Sequence, residues 1–194
     1  MTDSAQSLRL VWIDLEMTGL NVANDGILEI AAVVTGPDLQ PLVEVERVVL
    51  VPDEFLERMS ERVRRMHTEN GLLEAVRKGG LPLREAERQV LAAIAPHAPA
   101  GEGLLAGNSV FHDWRFMQKH MPRLEQHLHF RHVDIGTISA LFNSWYPNLE
   151  YPQGPINHRA MADVKASIDE LRYYCTHALK VDLAKIATPA TPRR

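Results

Sequence analysis

The chain has 194 residues, 45% of them hydrophobic and 24% charged, with a formal net charge of −4. Such a chain forms one globular domain that buries roughly 70% of its unfolded surface, and it is too acidic to coat long nucleic acid through bulk positive charge. The single cysteine, Cys175, excludes an internal disulfide framework and a cysteine-based zinc site; with no signal-peptide pattern and no apolar run of about 20 residues, the expected compartment is the cytoplasm, away from membranes.

Leu8–Glu16 (LRLVWIDLE) reads as a short apolar strand ended by Thr18-Gly19. Ile27–Thr35 (ILEIAAVVT) is a second strand, and Gly36-Pro37-Asp38 has turn chemistry. Leu42–Val51 alternates with period two and reads as a third strand with one wet face. Short links between the three predict an antiparallel meander. Asp53–Met66 and Glu69–Lys78 are predicted helical with a break near His67, and Pro82–Ala95 carries apolar residues at helical spacing behind a proline suited to a first turn. Gly103–Gly107 is a fourth strand, Asp113–His120 a helix stopped by Met121-Pro122, His132–Ile135 a fifth strand and Thr137–Trp145 a helix. Tyr146–Asn157 is a proline-rich loop of a length that often covers a site, and Arg159–Leu179 is a long helix. Residues 1–7 and 182–194 are expected to be flexible, leaving residues 8–181 as the domain. Strands first, then alternating helices and strands, predict an α/β fold with a mixed sheet covered by helices.

Asp14 and Glu16 lie two apart in an otherwise apolar strand, so they project from one face. Two adjacent carboxylates there repel and lose hydration. Either a divalent cation offsets that cost, or both groups reach solvent at the strand end. Asp113, after Gly107-Asn108-Ser109, falls near a helix start, where capping is the ordinary role of an aspartate. His158 and Asp163 are five apart, about 140° around a helix. They converge only if His158 sits on the preceding loop and Asp163 on the helix proper. Together the four acids and one histidine offer an all-oxygen site for a hard cation beside a titratable group.

WIDLEMTGL (Trp12–Leu20), GNSVFHDWRF (Gly107–Phe116) and HRAMADVKASIDEL (His158–Leu171) resemble, in order, the three motifs of the DEDDh 3′–5′ exonucleases, and in particular the oligoribonuclease branch. LEIA after the first motif, HTENGL around His67 and LHFRHVDIGT from Leu128 extend the resemblance over nearly the whole chain. It implies an RNase H-like five-stranded mixed sheet flanked by helices. It also implies a homodimer that degrades short RNAs, of two to five nucleotides, from the 3′ end to mononucleotides. Asp14, Glu16, Asp113 and Asp163 would hold two divalent cations, Mg²⁺ or Mn²⁺, and His158 would be the general base. Leu20 would wedge between bases and His67 would lie beside the substrate. Asn108 and Ser109 would contact it too, Ser109 at the 5′ phosphate, and Phe130 and Arg131 would add contacts, Arg131 from the dimer partner.

Several positions depart from the family pattern. Phe130 stands where many members have tyrosine, Arg62 where many have a stacking tryptophan, Gly136 where the family has serine, and Ser139 near a usual lysine. Two phosphate donors are therefore missing, which motivates an alternative: a broader exonuclease acting on longer single-stranded RNA or DNA. An inactive nucleotide-binding module on the same fold is disfavoured, because all five catalytic positions are filled.

Overall fold

A computed structural model describes residues 8–149, 151–152, 154 and 157–179. The tails expected to be flexible, residues 1–7 and 182–194, lie outside the described residues. The domain limit at residue 181 does so as well.

Three antiparallel strands open the fold: β1 (Arg9–Met17), β2 (Ile27–Thr35) and β3 (Pro41–Leu50). They form the expected meander. β5 (Gly103–Gly107) then joins β1 in parallel, and β6 (His129–Asp134) joins β5 in parallel. The sheet has six strands rather than five, in the order β4-β3-β2-β1-β5-β6. The extra one, β4 (Leu81–Pro82), pairs parallel with Val49 and Leu50 at the sheet edge. Proline is tolerated there because an edge strand need not donate on both sides. Gly80 lets the two chains approach, since a Cβ at that position would lie 2.6 Å from the Leu50 amide nitrogen.

The helical region also departs from expectation in identifiable ways. The helix does not break at His67. Instead α1 (Asp53–Arg58), α2 (Glu61–Glu69) and α3 (Leu72–Gly79) divide at Met59-Ser60 and Asn70-Gly71. Ser60 caps α2 by accepting from the Val63 amide at 3.3 Å, and Gly71 takes φ 77°, a left-handed turn that interrupts the helical path. Helix α4 (Leu83–Ile94) is as expected within a residue. After α5 (Phe111–His120), Pro122 does not end helical structure but begins α6 (Pro122–His127). Its missing N–H is harmless in a first turn, and Glu87 of α4 accepts from the next two amides, Arg123 at 2.7 Å and Leu124 at 3.1 Å. Asp134 ends β6 and caps α7 (Ile135–Trp145) through the Thr137 amide, so Ile135 is helical rather than extended. The long helix is α8 (Ala160–His177).

Alternation along β1 divides the core. Val11, Ile13 and Leu15 face a cluster built with α4, α5 and α6, including Val90, Phe116 and Leu124. Leu10 and Trp12 face the other side, where Ala160, Val164 and Ile168 of α8 cover the sheet. Asp14 and Glu16 continue this second face, so the helix that packs on the sheet also brings Asp163 over them. Helices α1–α3 form a third cluster around Leu28 and Leu72.

Candidate active site

The pairing of β1 with β5 ends at Trp12 and Ala106, so β1 runs on with a free edge. Asp113, in the first turn of α5, fills that edge: its Oδ1 accepts the Leu15 amide at 3.0 Å. The capping alternative for Asp113 is thereby displaced, since the Asp113 carboxylate serves a neighbouring strand and α5 has no side-chain cap. His158 sits on the loop before α8 and Asp163 on the helix itself, the arrangement their spacing requires. Ligating atoms of Glu16, His158 and Asp163 lie within 4.8 Å of one another. His158 has φ 47° and Ser109 φ 55°, so two of the non-glycine residues in the left-handed region belong to one groove. That groove, of about 460 Å³, runs from Asp14, His158 and Asp163 past Asn108 and Ser109 to Tyr151, Ser167 and Glu170. Tyr151 belongs to the proline-rich loop, which does border the site; residues 150, 153, 155 and 156 of that loop lie outside the described residues.

These carboxylates are poorly accommodated as anions. Burial, followed by repulsion from Asp113, Glu16, Asp163 and Glu29, pushes Asp14 well above the ordinary range. Glu16 is pushed up to about 8 by burial and by Asp163, Glu29 and Asp113, with Arg159 opposing. Asp113 rises to about 7, mainly through burial, against the hydrogen bond from the Leu15 amide. Burial also raises Asp163, and His158 pulls it back. A divalent cation would supply the missing positive charge, and an all-oxygen carboxylate set suits a hard ion such as Mg²⁺ or Mn²⁺. Glu16 and Asp163 lie together with His158, and Asp14 and Asp113 are coupled to them electrostatically.

One carboxylate was not among the expected site residues. Glu29 of β2 lies directly opposite Glu16 in the sheet register and is fully buried. Like charges so placed destabilise a sheet. Arg159 offsets this, with Nε 3.1 Å from both carboxylate oxygens and Nη2 2.6 Å from one, and the Ala160 amide adds a bond at 3.0 Å. The available signal was a lone glutamate in the apolar run ILEIAAVVT, a group that must find a partner.

The remaining expected residues divide into groups. Leu20 is 61% exposed on the loop after β1. Thr18, Asn21 and Asp25 tie that loop internally, and Lys119 grips the carbonyls of Val22 and Ala23. Asn108 is held by Glu170, Nδ2 to Oε2 3.0 Å. His67, expected beside the substrate, adjoins the carboxylate cluster from within the fold. It is fully buried in α2, with Nε2 3.1 Å from the Met17 carbonyl and 3.8 Å from Glu16 Oε2, so it braces the strand end from beneath. Phe130 and Arg131 lie on the edge strand β6. The register passes from Leu104–His129 to Leu105–His132, leaving both residues in a bulge. The bulge leaves Phe130 80% exposed, with the Arg131 guanidinium 5.4 Å above its ring.

The exonuclease family model (RNase_T) matches residues 11–171. The chain is 45% identical over 170 residues to an oligoribonuclease of Rhodococcus jostii, covering 86% of this chain and 85% of that one. It is 47% identical to an oligoribonuclease of Streptomyces griseus, with 86% and 84% covered, and 40% identical to the mitochondrial oligoribonuclease of Homo sapiens, with 89% and 74% covered. Among solved structures it resembles E. coli exonuclease I in complex with single-stranded DNA, with a TM-score of 0.70 and 15% identity over 93% of this chain and 42% of that one. At that identity the likeness concerns the fold, and this chain spans well under half of exonuclease I. On the family match and the identity to the oligoribonucleases, the chain belongs to the exonuclease family, in its oligoribonuclease group, and is a nuclease.

Proposed function

We propose that the protein is a 3′–5′ exoribonuclease that hydrolyses short oligoribonucleotides, of two to five nucleotides, to mononucleotides. The observation that carries this reading is the convergence of Glu16 with His158 and Asp163, two residues that line a groove, beside carboxylates that lack countercharge. Asp14, Glu16, Asp113 and Asp163 would hold two divalent cations, Mg²⁺ or Mn²⁺. When bound, these supply Lewis-acid activation of water and neutralise charge on the departing ribose oxygen. His158 accepts the proton of the attacking water at a ring nitrogen. Leu20 wedges against the bases, while Asn108 and Ser109 contact the sugar-phosphate chain, Ser109 at the 5′ phosphate.

The same reading takes the protein as a cytoplasmic homodimer. An aromatic side chain 80% exposed on a sheet edge, stacked with an arginine, suits burial against a second copy. Phe130 and Arg131 of each copy then close the 5′ end of the other's groove. Among the described residues no helix is long and apolar enough to cross a membrane.

A second reading, a broader exonuclease acting on longer single-stranded RNA or DNA, draws on Gly136, where no serine hydroxyl is present to hold a 5′ phosphate; a Cβ there would lie 2.9 Å from Asn108 Oδ1, so the glycine is packed closely against Asn108. The test is to incubate a 5′-labelled RNA with Mn²⁺ and follow its products. Stepwise shortening from the unlabelled end, abolished by EDTA, is the expected result. Internal cleavage, or cleavage that survives EDTA, contradicts the proposal.

A further inference from the structure

The geometry points to Asn70 as a positioning residue for His158, acting through the backbone of residues 157 and 158. This rests on the reading of His158 as general base. Asn70 is the residue at which α2 ends, and its side chain is used at both atoms. Oδ1 accepts the Leu72 amide at 3.0 Å, starting α3. Nδ2 donates to the His158 carbonyl at 2.5 Å and to the Asn157 carbonyl at 3.3 Å. On the far side of the histidine, Glu29 binds the Arg159 guanidinium and the Ala160 amide. His158 is thus gripped by its own carbonyl and by its next two neighbours.

Its conformation requires such a grip. A histidine at φ 47° is in a region that non-glycine residues leave unless the surroundings over-determine it. Glu29 fixes where α8 begins, but it does not set the direction of the peptide that carries the imidazole. Asn70 does, because its amide holds the carbonyl of His158 itself. Loosening that peptide leaves the carboxylates in place and lets the imidazole drift from the attacking water. A displacement of about 1 Å at a reacting group costs up to about a hundredfold in rate.

The test separates the two ends of the Asn70 side chain. Asn70→Asp keeps an acceptor for the Leu72 amide and replaces the donor with an oxygen facing two carbonyls. With a 5′-phosphorylated RNA dinucleotide at saturating Mn²⁺, kcat is expected to fall at least about tenfold. KM and the Mn²⁺ midpoint are expected to stay within about twofold, since neither substrate nor cation contacts change. In a His158→Ala background the same substitution is expected to cost less than about twofold, because the group it positions is gone. Equal losses in both backgrounds, a loss confined to KM, or no loss would each overturn the inference. A His158→Ala enzyme as active as the parent refutes the general-base reading, and this inference with it. Should Asn70→Asp fail to fold, Asn70→Ser serves the same comparison, since a hydroxyl can cap α3 but is too short to reach the carbonyls.

Discussion

Replacing Glu16 with glutamine removes a charge that the cation-free fold accommodates badly. Burial above all, and then repulsion from Asp163, Glu29 and Asp113, pushes the Glu16 carboxyl from 4.5 to about 8. The sign follows from proton binding. Below the unfolded value both states are protonated and the charge costs nothing. As pH rises through the interval the unfolded chain ionises first, so the fold loses stability until its own carboxyl ionises near 8. A shift of that size corresponds to about 5 kcal/mol withdrawn from the cation-free protein above that pH. In a chain of this length each kcal/mol moves the melting temperature by about 2–4 °C. Thermal unfolding in EDTA across this range should therefore show the parent melting lower as pH rises, and E16Q melting about 10–20 °C higher than the parent above pH 8. The two should converge below about pH 4. Mn²⁺ should raise the parent at high pH and E16Q much less. An E16Q protein that is no more stable than the parent in EDTA at high pH would refute the electrostatic account of the site.

Three further outcomes follow from the same geometry. His158→Ala should lower kcat by about 10²- to 10⁴-fold with the Mn²⁺ midpoint retained; an equal loss of metal affinity would make the histidine a ligand rather than a base. Asp14→Asn should abolish metal-dependent hydrolysis in a single-turnover assay, because it removes a ligand from the centre of the acidic cluster. Phe130→Glu should shift the native mass from dimer to monomer by light scattering and weaken hydrolysis of the dinucleotide, whereas an unchanged mass would place the interface elsewhere.

Much of this site was legible because it rests on period-two alternation. Asp14 and Glu16 share the face of Trp12 in any strand, and the pairing of β1 with β2 realises it. The spacing of His158 and Asp163 stated the condition for their convergence, His158 on the loop and Asp163 on the helix, which the structure meets. The parts that escaped depend on partners distant in sequence. Glu29 reads as one polar residue in an apolar strand until Arg159, 130 positions on, is folded against it. Asn70 looks like turn chemistry, and nothing local reveals that its amide reaches a carbonyl 88 residues away. His67 sits inside a helix whose ends are set by Ser60 and Gly71, capping features that a break read near His67 overlooks. The bulge at Phe130 and Arg131 is a register property of two strands, absent from either alone.

The central claim is a hydrolase whose groove accepts only short RNA. It is tested most directly by comparing kcat/KM for 5′-phosphorylated RNAs from the dinucleotide to about twenty nucleotides, longer than the single-strand site sizes common in nucleic-acid-binding folds. The account predicts a steep fall beyond the shortest substrates, because Phe130 and Arg131 of a second copy close the 5′ end. Equal efficiency at all lengths would contradict it and favour a broader exonuclease acting on longer single strands.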